Sequence, residues 1–268
     1  MILLTVLAGL LVIWFLWRKQ QQKKQEAQPL PATYPELLET HVAYYHSLSP
    51  AQKTLFEERV RHFLNQTKIE GIGTVVDDLD RVLVASSAII PIFGFSDWYY
   101  PLTDVLLYAD RFNEAYETTG EERTILGMVG EGGALQSTMV LSKPALHEGF
   151  ANESSKGNTG IHEFVHLLDK VDGATDGLPK YLLDKSHLKP WLQLIHRSIQ
   201  EIKDNRSDIN PYGITNEAEF FAVVSEYFFK RPDLLQEKHP ELFARLEEIF
   251  RQNPAQPGTG IPLEVDNQ

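Results

Sequence analysis

The 268-residue sequence contains no cysteine. A disulfide framework and a thiolate metal site are therefore excluded, so any bound metal must use histidine, aspartate or glutamate. Positive charge is scarce: 25 lysines and arginines stand against 37 aspartates and glutamates, which gives a formal net charge of −12. Because nucleic-acid binding depends on a basic surface, this balance argues against direct nucleic-acid binding.

Apolar residues are abundant by comparison. Hydrophobic residues make up 43% of the chain and aromatic residues 10%, which is ample for a packed core. The sequence shows neither an internal repeat nor a low-complexity block. We predict one domain over residues 32–253, followed by a flexible tail over residues 254–268.

The N-terminus differs in composition from the rest of the chain. Residues 2–17, ILLTVLAGLLVIWFLW, are apolar apart from Thr5, and their length is at the lower limit for a membrane-spanning helix. Four basic residues follow directly: Arg18, Lys19, Lys23 and Lys24. We predict a transmembrane anchor over residues 1–18 and a basic, polar tether over residues 19–31. The positive-inside rule then gives a single-pass protein of the cytoplasmic (inner) membrane with its domain facing the cytoplasm. A signal peptide and a soluble or partner-binding helix are the alternatives.

Hydrophobic periodicity predicts a mixture of helices and strands. Helices are predicted at residues 34–48, 49–67, 77–94, 158–173, 187–204 and 215–232. Strands are predicted at residues 71–76, 103–110, 123–130 and 134–142. In the helix over 49–67, Ser49 is expected to be the N-cap and Pro50 to occupy the first turn. The mixture indicates an α+β fold with helices around a small sheet.

The most informative stretch is GNTGIHEFVHLLDKVDG, residues 157–173, which contains an H-E-x-x-H pattern. His162 and His166 lie on the same side of a helix, so both imidazoles can bind one ion. Glu163 projects close to that ion and can take a proton from a water whose pKa zinc lowers to near 7. The pattern therefore predicts a zinc site that hydrolyses peptide bonds, and the alternative is a chance match in an ordinary amphipathic helix. Asp169 is either an orienting group for a ligand or a solvated carboxylate at the helix end.

Catalytic zinc has three protein ligands and one open position, so a third ligand is expected elsewhere. The predicted helix over 215–232 contains Glu217, Glu219 and Glu226 among many apolar residues. Unpaired carboxylates are costly to bury in such surroundings, and a metal would offset that cost. The alternatives are a capping box between Asn216 and Glu219 and a surface position for Glu226. Spacing alone does not choose between these interpretations.

IHEFVHLLD, followed about fifty residues later by AEFFAVVSEYFF, resembles the Mlc titration factor A family of zinc peptidases. DDLDRVLVASSAII, DVLLYAD and MVLS match the order of the family's preceding elements, and the resemblance extends over residues 37–254. The family is related to the catalytic domain of anthrax lethal factor. The resemblance implies a zincin-like metallopeptidase fold, in which an edge strand of a small mixed sheet binds extended peptide by strand addition. We expect that edge at residues 132–142, and the alternative for this segment is an ordinary core hairpin.

The resemblance also implies roles for individual residues. It gives three zinc ligands, which are His162, His166 and Glu219. Glu163 would be the general base, and Tyr212, seven residues before Glu219, would donate a hydrogen bond to the oxyanion. Glu226 would hold a ligand histidine in its tautomer. The alternative for Tyr212 is a loop aromatic that covers the core.

The pattern and the resemblance together predict a zinc-dependent peptidase that acts on peptides or proteins. The resemblance implies aminopeptidase-like activity, although the residues themselves do not separate aminopeptidase from endopeptidase action. The alternative is a regulatory binding protein that sequesters a transcriptional repressor, with zinc as a structural element. The family takes its name from binding the repressor Mlc, and its best-known members are soluble proteins of the cytoplasm. The apolar run at residues 2–17 departs from that pattern.

Overall fold

A computed structural model describes residues 29–98, 100–112, 125–129 and 137–256. The predicted anchor over residues 1–18, most of the tether and most of the predicted tail lie outside these ranges. Within them, no helix combines the length and the apolar character that crossing a membrane requires. Ala255 still packs against the core, two residues beyond the predicted end of the domain.

The described residues confirm the predicted α+β fold. The helices are α1 (Tyr34–His41), α2 (Ala43–His46), α3 (Pro50–Gln66), α4 (Asp78–Ile92), α5 (Lys143–Ala151), α6 (Thr159–Asp169), α7 (Lys185–Lys203), α8 (Glu217–Lys230), α9 (Pro232–Lys238) and α10 (Pro240–Phe250). The strands are β1 (Lys68–Ile72), β2 (Asp104–Tyr108), β3 (Gly127–Val129) and β4 (Thr138–Ser142). Short 3-10 turns occupy Lys170–Asp172 and Pro211–Ile214.

The strands form a mixed sheet in the order β1-β2-β4-β3. β1, β2 and β4 are parallel, and β3 pairs antiparallel with β4. The prediction that residues 132–142 form the edge is wrong, because the described part of that segment is β4, which lies between β2 and β3. Every residue of β4 is buried, as expected of an inner strand. Among the strands that the structure describes, the short strand β3 is the last one on this side of the sheet.

Other predicted elements differ from the structure mainly at their ends. The predicted helix over 34–48 is broken at Val42, whose backbone is extended. The strand predicted at 71–76 begins earlier and ends at Ile72, before Gly73, whose φ of +70° turns the chain. The structure confirms the expected cap of α3, with Ser49 in a capping box and Pro50 in the first turn. Three helices had no counterpart in the prediction: α5, α9 and α10.

Helix α6, which carries the H-E-x-x-H pattern, lies at the centre of the fold. It packs against α4, α5 and α8, and against β3 and β4 of the sheet. Asn158 caps its start, with Oδ1 accepting the Ile161 N–H at 3.0 Å. A β carbon on Gly160 would lie 2.2 Å from Oγ of Ser87, so α4 and α6 approach closely there. This packing holds α6 rigidly between the sheet and α8.

Candidate metal centre

The side chains of His162, His166 and Glu219 converge between α6 and α8. The Nε2 atoms of the two histidines are 3.1 Å apart. Oε2 of Glu219 is 3.0 Å from Nε2 of His162, and its Oε1 is 3.6 Å from Nε2 of His166. All three side chains offer a ligand atom within 4.8 Å of the others. The predicted third ligand is therefore brought to the two histidines from a helix more than fifty residues away.

These distances fit a metal ion. Two ligands held about 2.0–2.1 Å from a tetrahedral zinc lie about 3.3 Å from each other. The separations of 3.0, 3.1 and 3.6 Å bracket that value. Two imidazole nitrogens and one carboxylate oxygen are also a ligand set that catalytic zinc accepts. The residues present thus suit a metal with one remaining position open for water or substrate.

Glu226 lies on the other side of His162. Its Oε1 is 2.7 Å from Nδ1 of His162, and its Oε2 accepts a hydrogen bond from the backbone N–H of Asn158. When Nδ1 donates its proton to this carboxylate, Nε2 of the neutral imidazole keeps a lone pair that can bind a metal ion. Glu219 and Glu226 are seven residues apart on α8, about two helical turns, and so reach the same histidine from one face.

The histidine and carboxylate groups of the centre shift each other's pKa values in the direction that favours the charged forms. Burial lowers the pKa of His162, but the carboxylates of Glu226 and Glu219 oppose this, and the net pKa lies well above its usual value. Burial raises the pKa of Glu219, but hydrogen bonds from His162 and His166 more than offset this and bring it to about 2. Glu219 therefore stays ionised at neutral pH, as a metal ligand must.

Glu163 is almost completely buried, with 6% of its surface exposed. Burial raises the pKa of its carboxyl group, and the nearby His162 and His166 offset part of that rise. A carboxylate with a raised pKa is a stronger base than one in water, which suits proton transfer near neutral pH. The side chain of Glu163 lies against Gly127 of β3.

Tyr212 lies beside the centre, in the 3-10 turn that precedes α8. Its ring centre is 6.1 Å from that of His162, and 54% of the residue is exposed. The Tyr212 backbone N–H bonds to Oδ1 of Asn210 at 3.0 Å, which fixes the turn. Partial burial and the carboxylate of Glu219 raise the pKa of the phenol, so it keeps its proton at neutral pH. Tyr212 therefore does not cover the core, and its hydroxyl can donate a hydrogen bond.

The structure also shows where the other predicted carboxylates, Glu217 and Asp169, lie relative to the centre. Glu217 is directed away from the centre, and its Oε1 is 3.1 Å from Nε2 of His196. Oδ1 of Asn216 accepts the Glu219 N–H at 2.8 Å, but the Glu219 side chain turns to the histidines, so a reciprocal capping box does not form. Asp169 is fully buried and binds the Gly177 N–H at 2.7 Å, so it is not a solvated carboxylate.

Gly127 is the site residue that sequence reasoning missed. It begins β3 and lies directly against Glu163, although the two residues are 36 positions apart. The only sequence signal was a glycine inside the predicted strand over 123–130, which is typical of a close approach by another group. Nothing in the pattern showed which group approaches.

Comparison with known proteins agrees with this geometry. Residues 14–251 match the family described as glucose-regulated metallo-peptidase M90. An uncharacterized protein of Synechocystis sp. is 29% identical, with 94% of this chain and 97% of that protein aligned. Mlc titration factor A of Escherichia fergusonii is 27% identical over 89% of this chain and 91% of its own length. Mlc titration factor A of Salmonella arizonae is 28% identical over 72% of this chain and 81% of its own length. The resemblance to the Mlc titration factor A family is thus confirmed, and this chain belongs to the M90 family of metallopeptidases.

Proposed function

We propose that this chain is a zinc-dependent peptidase with Glu163 as its general base. The observation that carries the proposal is the convergence of Nε2 of His162, Nε2 of His166 and the carboxylate of Glu219 beside Glu163. When bound there, zinc supplies a Lewis acid and lowers the pKa of a coordinated water to near 7. The family to which the chain belongs supports a metal-dependent peptidase, and the ligand chemistry favours zinc.

The chain's own residues provide the proton transfers and the orientation. Glu163 accepts a proton at its carboxylate from the attacking water and passes it to the nitrogen of the leaving amine. Tyr212 keeps its phenolic proton and donates a hydrogen bond to the oxyanion that forms at the substrate carbonyl. Glu226 holds His162 in the tautomer that leaves Nε2 free.

We propose that β3 binds the substrate backbone. The Ser142 N–H donates to the Leu126 carbonyl at 2.8 Å, so Leu126 faces β4. Because antiparallel strands alternate, the N–H and C=O groups of Gly127 and Val129 point away from β4. Ile125, just before β3, exchanges both backbone bonds with Phe112, and no described strand pairs with β3 on the side away from β4. An extended peptide can add to this edge directly above Glu163.

The test is zinc content and peptide hydrolysis of the full-length protein and three variants. We expect one zinc per chain and hydrolysis in the unchanged protein. Glu219→Ala should lose most of the zinc, and Glu163→Gln should keep the zinc but lose hydrolysis. Glu217→Ala is the matched control, since its carboxylate lies on the same helix and faces His196 instead. A Glu163→Gln protein that still hydrolyses peptides would rule out the proposed base.

Each assay should pair a peptide that has a free amino terminus with its N-acetylated form. An aminopeptidase cleaves only the first peptide, whereas an endopeptidase cleaves both.

The name of the relatives, Mlc titration factor A, supports a second function, the binding of a regulator such as Mlc. In that case zinc is a structural element, and the cellular role does not depend on proton transfer. Glu163→Gln separates the two functions, because it removes the base and leaves the ligands His162, His166 and Glu219 in place. A cellular phenotype that survives Glu163→Gln would assign the role to binding.

We further propose that residues 1–18 anchor the protein in the inner membrane, with the domain facing the cytoplasm. The support is the apolar run over residues 2–17 and the basic residues directly after it. Fractionation of cells should find the full-length protein in the membrane fraction. Added protease should reach the domain only after the cells are opened. Recovery in the soluble fraction would contradict the anchor.

A further inference from the structure

Gly127 leaves a recess that the general base fills. An ideal β carbon on Gly127 would lie 2.5 Å from both Cγ and Oε1 of Glu163, and 2.7 Å from its Cδ. Carbon atoms in contact are about 3.5–4.0 Å apart, so the two groups cannot share this space. The carboxylate of Glu163 therefore occupies the volume that any side chain at position 127 would take.

The backbone of Gly127 gives no other reason for a glycine. The described glycines with positive φ are Gly73, Gly173 and Gly177, so Gly127 has a φ that alanine adopts freely. A glycine weakens a strand because it adds backbone entropy to the unfolded chain and has no side chain to pack. The three heavy atoms nearest to that β-carbon position all belong to the side chain of Glu163.

We infer that Gly127 is a positioning residue for the general base. Its missing side chain forms the recess in which Glu163 lies, beneath the strand edge to which the substrate backbone adds. The inference rests on the proposed function and extends it from α6 to β3. The strand that binds the peptide also sets the position of the carboxylate that takes the proton. Strand β3 therefore positions both the substrate and the base.

The recess predicts an unusual response to Gly127→Ala. The atoms in the way belong to the flexible end of a side chain and not to backbone, so Glu163 will move and the fold will remain. We expect the full-length Gly127→Ala protein to keep its zinc and to unfold within a few degrees of the unchanged protein. Its kcat should fall at least about tenfold, because a positioned base contributes about 10²- to 10⁴-fold to the rate. Its KM should change little, since the strand edge remains.

Gly94→Ala is the matched structural control. A β carbon on Gly94 would lie 2.3 and 2.5 Å from the backbone oxygens of Phe250 and Arg251, which cannot move aside. We expect this variant to unfold at a lower temperature and to keep the kcat of the unchanged protein at temperatures where it is folded. If Gly127→Ala loses kcat only in proportion to lost zinc or lost folded protein, Gly127 is merely structural and the inference fails.

A second measurement needs no activity. Urea unfolding midpoints of the metal-free protein are compared for Gly127→Ala, Glu163→Ala and the double variant. If the two side chains compete for one space, Gly127→Ala lowers the midpoint when Glu163 is present and no longer does so with Glu163→Ala. Additive midpoint shifts would overturn the inference even if the protein hydrolyses peptides. If the midpoint shifts are not additive but the protein hydrolyses no peptide, the proposed function fails and the inference about Gly127 stands.

Discussion

At the scale of single residues, Glu226 performs two tasks with one carboxylate. One oxygen lies 2.7 Å from Nδ1 of His162, and the other accepts the Asn158 N–H at the start of α6. Both partners are donors when His162 carries its proton on Nδ1. A glutamine at this position has one acceptor oxygen and presents its NH₂ group to the second donor. The negative charge and both oxygens are therefore needed to align His162 and the start of α6 together.

The first prediction concerns metal affinity. Glu226→Gln should weaken zinc binding about 10- to 100-fold, because the partner that orients a ligand histidine is compromised. Competition with a chelator of known affinity measures the change. Glu217→Gln is the control, since it alters a carboxylate–histidine pair on the same helix but away from the centre. Equal zinc affinity in the two variants would exclude the orienting role of Glu226.

The second prediction concerns Tyr212. Tyr212→Phe removes only a hydroxyl group that is largely outside the core, so zinc content and stability should stay unchanged. If the hydroxyl stabilises the oxyanion, kcat should fall about 10²- to 10³-fold while KM changes little. Steady-state kinetics with a single peptide measures both constants. A variant with normal kcat would show that Tyr212 lies near the centre without taking part.

At the scale of elements, helices α6, α7 and α8 meet at Gly177. The Gly177 N–H binds Asp169 at the end of α6, and its carbonyl accepts the indole N–H of Trp191 in α7 at 2.8 Å. A β carbon here would lie 2.3 Å from the Glu217 carbonyl at the start of α8. Its φ of +71° also disfavours any other residue. The loop thus fixes the start of the helix that brings Glu219 to the centre.

The third prediction tests this junction. Gly177→Ala should destabilise the protein by more than about 1 kcal/mol and weaken zinc binding, because it strains the backbone and displaces the start of α8. Gly173→Ala is the control, since Gly173 has a φ of +93° but nothing within 4 Å of its β-carbon position. Thermal unfolding and zinc competition compare the two. The junction has no role if both variants lose the same stability and neither loses zinc affinity.

At the scale of the whole molecule, stability depends on pH through buried carboxyl groups as well as through the net charge of −12. Burial raises the pKa of Asp169 from 3.8 to about 6, although the hydrogen bond from Gly177 acts in the opposite direction. The folded protein therefore binds this proton more tightly than the unfolded chain does. The resulting stability is fully present below pH 3.8 and is lost as pH rises through about 6.

The fourth prediction is that the stability contributed by Asp169 falls as the pH rises. The rise in the pKa of Asp169 from 3.8 in the unfolded chain to about 6 in the folded protein corresponds to about 3 kcal/mol of unfolding free energy. Asp169→Asn keeps an acceptor for the Gly177 N–H but does not titrate. The stability of the unchanged, metal-free protein relative to this variant should thus decline between pH 4 and pH 7. Urea unfolding at several pH values measures the difference, and parallel pH profiles would show that Asp169 does not titrate in this range.

Much of the site was predictable from local patterns. The four-residue spacing of His162 and His166 places both on one side of any helix, and the apolar neighbours of the pattern predict that helix. The N-caps of α3 and α8 could also be predicted from the sequence, because Ser49 and Asn216 accept hydrogen bonds from backbone groups three residues away. The choice of Glu219 over Glu217 rested on family resemblance, since both lie in the first turn of the same helix.

The sequence by itself determined the candidate residues and the fold class: histidine and carboxylate side chains that can bind a metal, a glutamate beside the first histidine, and an α+β mixture of elements. These follow from residue identity and from spacings of a few residues, which local geometry fixes. Only the tertiary structure decided that β3, and not β4, is the last of the described strands, that Glu226 reaches Nδ1 of His162, and that Glu163 fills the recess at Gly127. Strand order and such contacts depend on how distant segments pack together, and no periodicity along the chain records that packing.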